Sequence, residues 1–167
     1  MIDDKDLAAL AAELVQELTA AHKTVTTAES CTGGWIAKAI TDIAGSSAVF
    51  EYGIVSYSNA AKQSLLGVTG ATLQAAGAVS EATVIEMVEG AMRLSNADHG
   101  VAVSGIAGPD GGTDTKPVGT VCFAWSEKGS NGLVTSAGRK RFKGNRDSVR
   151  LQTVAHALRV IHAKFRT

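Results

Sequence analysis

Residues 27–34, which read T-A-E-S-C-T-G-G, constrain the fold of this chain more than any other stretch. The β-branched run just before and into it, over 24–28, is typical of a buried strand. After it, apolar residues recur at helical spacing at Trp35, Ile36, Ala39, Ile40 and Ile43. The stretch therefore joins a strand to a helix. Open α/β sheets bind ligands at such junctions, because the first amides of the helix still lack partners.

Gly33 and Gly34 allow two interpretations. Glycine inside a first helical turn weakens a helix by roughly 1 kcal/mol relative to alanine, so some other requirement should keep both residues. Either a substrate or a backbone segment approaches closely there, or the helix packs tightly on the sheet.

The remaining pattern alternates helices with strands and predicts one domain over 1–167. An amphipathic helix is expected over 3–22, and further strands over 48–56, 100–104, 120–125 and 133–142. Helices are expected after Asn59, Ser80 and Asn145, each of which can cap a helix, and a short helix is expected between Thr69-Gly70 and Gly77. This order predicts an α/β fold, a three-layer α/β/α domain with a mixed, mostly parallel sheet. The loops after the first and third strands should then meet at one sheet edge.

Composition excludes several functional classes. The 16 basic and 16 acidic residues balance, so no overall field attracts nucleic acid or a membrane surface. Cys31 and Cys122 are too few for a zinc site and do not resemble a secreted disulfide framework. Because the chain also shows no signal-peptide pattern and no membrane-length apolar stretch, we expect a cytoplasmic protein.

The four histidines are scattered and do not indicate a catalytic base or a metal site. A nucleophilic Ser30 would therefore need another proton acceptor, and a buried neutral lysine is the main alternative. Lys62 is the candidate, although most lysines lie in solvent. Cys31 competes with Ser30 as nucleophile unless it is simply a small buried side chain. Glu29 could cap amides or orient a base.

A basic run over 139–146 precedes the closing helix. It suits a phosphate or carboxylate ligand, and it equally suits a solvated edge strand guarded by positive charge. Arg146 stands out because it falls in the first turn of the helix, where a cation opposes the helix dipole and favours an anionic partner.

Six motifs are distributed along the chain: T-A-E-S-C-T-G-G at 27–34, G-I-V-S-Y-S-N-x-x-K at 53–62, L-L-G-V at 65–68, A-V-S at 78–80, S-G-I-A-G-P-D-G-G-T at 104–113 and K-P-V-G-T-V at 116–121. In this order they closely resemble the C-terminal domain family of the competence/damage-inducible protein CinA. Stand-alone members of that family are nicotinamide mononucleotide deamidases, which convert the carboxamide to a carboxylate and release ammonia in pyridine nucleotide recycling. The resemblance implies the same small-molecule activity here, an α/β/α fold akin to anticodon-binding domains, and a homo-oligomer, dimeric or higher.

Carried onto matching positions, the resemblance implies Ser30 as nucleophile and Lys62 as its base. It places Tyr57 with the catalytic residues, and Ser104, the adjacent Gly105 and Arg146 with those that bind substrate.

The residues then allow an acyl transfer that requires neither a metal nor an organic cofactor. Backbone amides near Thr32, Gly33 and Gly34 would stabilise the oxyanion, each such donor lowering the barrier by roughly 3 kcal/mol. Two other functions stay open at this point: a non-catalytic nucleotide-binding or regulatory module, and an amidase for another small amide.

Overall fold

The structure is a computed structural model that describes residues 2–166. Within this range six α-helices and five β-strands follow one another as α1 (Asp4–Ala20), β1 (Val25–Glu29), α2 (Trp35–Thr41), a short 3-10 turn (Ser46–Ala48), β2 (Phe50–Val55), α3 (Asn59–Leu66), α4 (Gly70–Ala76), α5 (Glu81–Ser95), β3 (His99–Gly105), β4 (Thr120–Gly129), β5 (Gly132–Arg141) and α6 (Arg146–Ala163).

The strands form one sheet in the order β2-β1-β3-β4-β5. β1 pairs in parallel with both β2 and β3, whereas the β3–β4 and β4–β5 pairs are antiparallel. Only β4 therefore runs against the other described strands, and the predicted mixed sheet is confirmed. Because β1 and β3 are parallel neighbours, the loops that follow them leave the same edge of the sheet.

Helices cover both faces of the sheet, which confirms the predicted three layers. On one face Leu14 of α1, Ile36 of α2 and Leu158 of α6 form a core with larger strand side chains such as Val101 and Phe123. On the other face Leu66 of α3 and Met87 of α5 pack against small strand residues such as Ala102 and Ala124. The small residues on this second face let α5 approach the sheet closely.

Most predicted helix starts are confirmed. Ser80 and Asn145 accept hydrogen bonds from the amides of Thr83 and Ser148, as expected of N-caps. The start of α3 differs, because Ser58 rather than Asn59 caps it, through the amide of Ala61 at 3.0 Å. Asn59 becomes the first helical residue.

β4 is longer than the predicted segment 120–125, and the reason is its partner. It pairs with β5 residue by residue from Thr120 and Arg141 to Gly129 and Gly132, so the hairpin extends the strand beyond its apolar part. β5 lies at the sheet edge, as expected from its basic residues.

Gly90 on α5 sets how closely α3 can pack, and a side chain there should destabilise the protein. A Cβ at this position would lie 2.0 Å from the carbonyl oxygen of Leu66, a backbone atom that cannot move without shifting the end of α3. We expect Gly90→Ala to lower the free energy of unfolding by about 1–3 kcal/mol, despite the better helix propensity of alanine.

Thermal or urea denaturation measures this change. Gly138→Ala is the matched control, because a Cβ at Gly138 meets nothing within 4 Å. Equal stabilities of the two variants would contradict the close packing of α3 on α5.

Candidate active site

Ser30 is the first residue after β1 and begins a turn, residues 30–34, that leads into α2; we call these residues the nucleophile turn. Gly33 and Gly34 lie in this turn with φ values of 61° and 96°. The expectation that they belong to the first helical turn is wrong, since α2 begins at Trp35. Their left-handed backbone explains why glycine stands at both positions.

The Glu29 carboxylate binds the first amides of α2. Its two oxygens accept the Thr32 hydroxyl at 2.6 Å and the amides of Ile36 and Ala37 at 2.8 and 3.0 Å. The expectation that these helix amides are free for a ligand is therefore wrong. Of the two roles considered for Glu29, capping amides is the one observed. Burial raises the pKa of this carboxyl, and the hydrogen bonds from Thr32 and the helix amides act in the opposite direction.

Lys62 reaches from α3 across to the nucleophile turn. Its Nζ lies 2.9 Å from Ser30 Oγ, 2.8 Å from the Ser56 carbonyl oxygen and 3.2 Å from the Tyr57 carbonyl oxygen. Only 1% of Lys62 is exposed, so the interpretation of a solvated helix lysine is wrong. The structure thus brings the predicted nucleophile and the predicted base into direct contact.

The surroundings of Lys62 favour its neutral form. Burial lowers the pKa of its amine below the usual value of 10.5, and no carboxylate of the described residues forms an ion pair with it. A neutral amine has two N–H groups and one lone pair. The carbonyls of Ser56 and Tyr57 can take both N–H groups, which leaves the lone pair directed at the Ser30 hydroxyl.

These residues line a cavity of about 220 Å³ at the sheet edge. Six of the predicted site residues meet there, namely Ser30, Tyr57, Lys62, Ser104, Gly105 and Arg146. Ser104 is the next-to-last residue of β3 and is 1% exposed. It lines the cavity because β3 and β1 are parallel neighbours. Cys31, the competing nucleophile, also lines the cavity. The remaining lining residues were not predicted as site residues: Asn59, Ala78, Val79 and Ala107. The last three have apolar side chains, which gave no signal in the sequence.

The three other predicted substrate-binding residues, Thr32, Gly33 and Gly34, line a second cavity of about 570 Å³ between α1, α2 and α6. The Gly33 amide donates to the Ser30 carbonyl oxygen at 3.0 Å, and the Gly34 amide helps to stabilise the Glu29 carboxylate. Neither of these two amides is available for an oxyanion. This corrects the expectation, because the turn folds back on itself instead of opening its amides toward the Ser30 cavity.

Arg146 and Tyr57 lie together at the mouth of the Ser30 cavity. Arg146 Nη2 donates to the Tyr57 hydroxyl at 3.2 Å, and Nη1 donates to the Gly108 carbonyl oxygen at 2.8 Å. Tyr57 is 62% exposed, so its ring forms a rim rather than a wall. A guanidinium with two modest neutral partners at a cavity mouth retains donors for an anionic ligand.

The loop between β3 and β4 is anchored on both sides of this cavity. Lys116 Nζ donates to the Ala76 carbonyl oxygen at the end of α4 at 2.7 Å, and Arg139 donates to the Thr115 carbonyl oxygen. Part of the basic run over 139–146 therefore serves to hold a loop.

Arg150 on α6 is a residue that the sequence analysis did not single out, and the structure places it against the nucleophile turn. Its Nε and Nη2 donate to the carbonyl oxygens of Cys31 and Thr32, each at 3.1 Å, and its guanidinium lies 5.3 Å from the centre of the Trp35 ring. Its position one helical turn after Arg146, on the same face of α6, is the signal that could have identified it.

Comparison with known proteins agrees with this geometry. A family model described as the CinA C-terminal domain matches residues 7–165. The chain belongs to the CinA C-terminal domain family. The nicotinamide-nucleotide amidohydrolase PncC of Escherichia coli (strain K12) is 52% identical over 162 residues, covering 97% of this chain and 96% of the relative.

Longer relatives contain the same CinA domain. A putative competence-damage inducible protein of Symbiobacterium thermophilum is 54% identical over 143 residues, which are 83% of this chain and 34% of the relative. Among solved structures, the competence/damage-inducible protein CihA of Agrobacterium tumefaciens superposes with a TM-score of 0.89 at 42% identity, covering 100% of this chain and 99% of that one. The CinA fold is thus confirmed over the whole described chain.

Two further properties concern residues 2–166 only. None of the helices described there has the length and apolar character needed to cross a bilayer. The same residues contain no cluster of histidine, cysteine, aspartate and glutamate side chains arranged to ligate a metal ion.

Cys31 should be a poor nucleophile in the folded protein. It is 6% exposed, and burial raises the pKa of its thiol to about 12. At about pH 8 we expect iodoacetamide to modify Cys31 roughly a thousandfold more slowly than in the unfolded chain, because so little thiolate is present. Mass spectrometry of a Cys122→Ser variant, which keeps Cys31 as its single thiol, measures the rate. Modification as fast as in urea would contradict this environment.

Proposed function

We propose that the protein hydrolyses the carboxamide of nicotinamide mononucleotide to nicotinate mononucleotide and ammonia, a reaction of pyridine nucleotide recycling. The observation that carries the proposal is the buried contact of 2.9 Å between Lys62 Nζ and Ser30 Oγ. The relatives named nicotinamide-nucleotide amidohydrolase support the choice of substrate, because they match this chain over nearly its full length.

Ser30 is the nucleophile and Lys62 the base in this proposal. Ser30 Oγ attacks the carboxamide carbon while its proton passes to neutral Lys62. The C–N bond then breaks, and Lys62 returns the proton to the departing ammonia, which leaves an ester on Ser30. Water attacks the ester and gives a proton to Lys62. The ester bond then breaks, and Lys62 returns that proton to Ser30 Oγ. This step releases the carboxylic acid and restores Ser30 and Lys62 to their starting forms.

The oxyanion of each tetrahedral intermediate needs a donor, and the Cys31 amide is best placed to provide one. It makes no hydrogen bond to another of the described residues, and Cys31 lines the cavity beside Ser30. Thr32 has an equally unused amide, but the residue lies on the side of the second cavity. We therefore propose the Cys31 N–H, which directly follows the nucleophile, as the main oxyanion donor.

Arg146 recognises the phosphate of the substrate in this proposal. The cavity of about 220 Å³ is closed around Ser30 and opens toward Arg146 and Tyr57, so the carboxamide would enter first and the phosphate would remain at the mouth. A phosphate there would receive charge-assisted hydrogen bonds from the remaining guanidinium donors.

The family resemblance also supports a homo-oligomer in the cytoplasm. No residue of a second copy is needed to bring Ser30, Lys62 and Arg146 together in this arrangement. Light scattering of the purified protein measures the assembly state.

Release of ammonia from three related amides tests the proposed function. We expect nicotinamide mononucleotide to be hydrolysed with a higher kcat/KM than nicotinamide riboside, and free nicotinamide to be the poorest substrate. Equal rates for riboside and mononucleotide would contradict phosphate recognition. Binding of the mononucleotide without ammonia release would favour a nucleotide-binding module, and preference for an unrelated small amide would favour another amidase.

Arg146→Ala should raise KM for the mononucleotide by about tenfold to a hundredfold, or ~1.5 to 3 kcal/mol, with a smaller change in kcat. Steady-state kinetics with the mononucleotide and the riboside provide the measurement. Because the riboside has no phosphate, Arg146→Ala should raise its KM much less. Lys143→Ala is the matched control, because it removes a nearby exposed positive charge that does not line the Ser30 cavity. A similar loss in both variants would mean that general charge, not Arg146, attracts the substrate.

Lys62 should act in its unprotonated form. Because burial lowers its pKa from 10.5, activity should rise with pH through this lowered pKa and level off above it. Lys62→Arg should be nearly inactive, since arginine stays charged.

Lys62→Met should also be inactive, yet no less stable than the unmodified protein, because a buried amine without a counter-charge is replaced by an apolar chain of similar length. The dependence of the rate on pH tests whether Lys62 acts unprotonated, and thermal denaturation tests the stability of Lys62→Met. An active Lys62→Arg would remove Lys62 from the role of base.

Ser30→Ala should lower kcat by several orders of magnitude while the mononucleotide still binds, because the covalent route is lost and the phosphate contact is kept. Cys31→Ala should retain most activity, with a modest loss of stability. Single-turnover kinetics and direct binding measurements separate the two effects. An active Ser30→Ala together with an inactive Cys31→Ala would make the thiol the nucleophile.

A further inference from the structure

The nucleophile turn is held by charged side chains on two sides. Glu29 binds donors on one side of the turn, the Thr32 hydroxyl and the first amides of α2. Arg150 binds acceptors, since its Nε donates to the Cys31 carbonyl and its Nη2 donates to the Thr32 carbonyl. The Cys31 carbonyl accepts no other hydrogen bond from the described residues, whereas the Thr32 carbonyl also accepts the Trp35 amide at 3.1 Å.

Arg150 is itself rigidly supported. Its guanidinium stacks over the indole of Trp35 at 5.3 Å, and its side chain is 26% exposed at the edge of the cavity of about 570 Å³. Asp147, one turn earlier on α6, lies 3.9 Å from Nη1 but is largely in solvent, so this ion pair adds little. The two carbonyls of the turn are the main partners of the guanidinium.

We propose that Arg150 is a positioning residue that holds Ser30 and the Cys31 amide in their reactive arrangement. Because a peptide unit is planar, holding the Cys31 and Thr32 carbonyls fixes the 31–32 and 32–33 peptide planes. The Gly33 amide, in the second of these planes, donates to the Ser30 carbonyl at 3.0 Å and so holds the Ser30–Cys31 plane that carries the Cys31 N–H. This constraint is needed because Gly33 and Gly34 allow the next part of the turn many other backbone conformations. The proposed effect on catalysis rests on the proposed function, whereas the effect on the turn does not.

The geometry requires arginine rather than positive charge alone. Two nitrogens of one planar guanidinium reach two successive carbonyls at equal distances of 3.1 Å. A lysine ammonium is a point charge on a flexible stem and cannot reproduce this fork or its stacking on Trp35. Arg150→Lys should therefore behave more like Arg150→Ala than like the unmodified protein.

Thiol alkylation measures the turn directly. In Arg150→Ala we expect iodoacetamide to modify Cys31 about tenfold faster, because the turn opens more often, while Cys122 on β4 keeps its rate. Burial is the main cause of the raised Cys31 pKa, and the Arg150 charge lowers that pKa somewhat. Removing the charge alone would therefore slow the reaction, so acceleration reports greater access to Cys31 and not the lost charge.

Arg159→Ala is the matched control, because Arg159 is an exposed arginine on the same helix and lies away from the turn. It should leave both cysteine rates unchanged. An unchanged Cys31 rate in Arg150→Ala, or an equal acceleration at Cys31 and Cys122, would overturn the proposal, since the first means no opening and the second means general loosening.

Kinetics with nicotinamide mononucleotide measure the consequence for the reaction. Arg150→Ala should lower kcat by about tenfold to a hundredfold with little change in KM, because a misplaced nucleophile slows the chemical step while Arg146 still binds the phosphate. Methylguanidinium, at concentrations far below those that denature, should restore part of kcat in this variant by entering the cavity beside Trp35. A normal kcat, or no rescue in a folded Arg150→Ala, would overturn the proposal.

The two experiments separate this inference from the proposed function. If the unmodified protein releases no ammonia from the mononucleotide, the proposed function fails, and the alkylation rates still decide whether Arg150 holds the turn.

Discussion

The contact between Lys62 Nζ and Ser30 Oγ is the interaction on which the rest of the site depends. A buried amine without a carboxylate partner is unfavourable when charged, so burial lowers the pKa of Lys62 below its usual value. Two backbone carbonyls, of Ser56 and Tyr57, hold the amine in place. These carbonyls belong to the segment between β2 and α3, so the position of the base is decided by the backbone of the sheet edge.

Ser30 is positioned by contacts within its own part of the chain. β1 ends at Glu29, and the side chain of this last residue turns back to bind the start of α2, so strand, turn and helix are joined by one carboxylate. The helix dipole is satisfied internally and does not serve a ligand. Ser30 and Cys31, at the start of the turn, line the cavity of about 220 Å³ instead.

Parallel pairing of β1 with β2 and β3 brings the parts together. The proposed base Lys62 follows β2, the proposed nucleophile Ser30 follows β1, and Ser104 lies near the end of β3, so three neighbouring strands bring one polar side chain each to the same edge. The antiparallel β4 and β5 then return the chain to the start of α6, which places Arg146 over the cavity mouth and Arg150 behind the turn. One helix thus contacts both the front and the back of the site.

The sequence by itself determined the element order, the three layers, the caps at Ser80 and Asn145, and the pairing of Ser30 with Lys62, because periodicity, capping and motif identity are local properties of the chain. It could not determine which amides of the nucleophile turn are free, since the Glu29 carboxylate lies seven residues from Ile36 and reaches it only through the turn. Nor could it place Arg150 on the Cys31 carbonyl, 119 residues away along the chain. Contacts of that kind depend on helix packing across the sheet, and only the tertiary structure decides them.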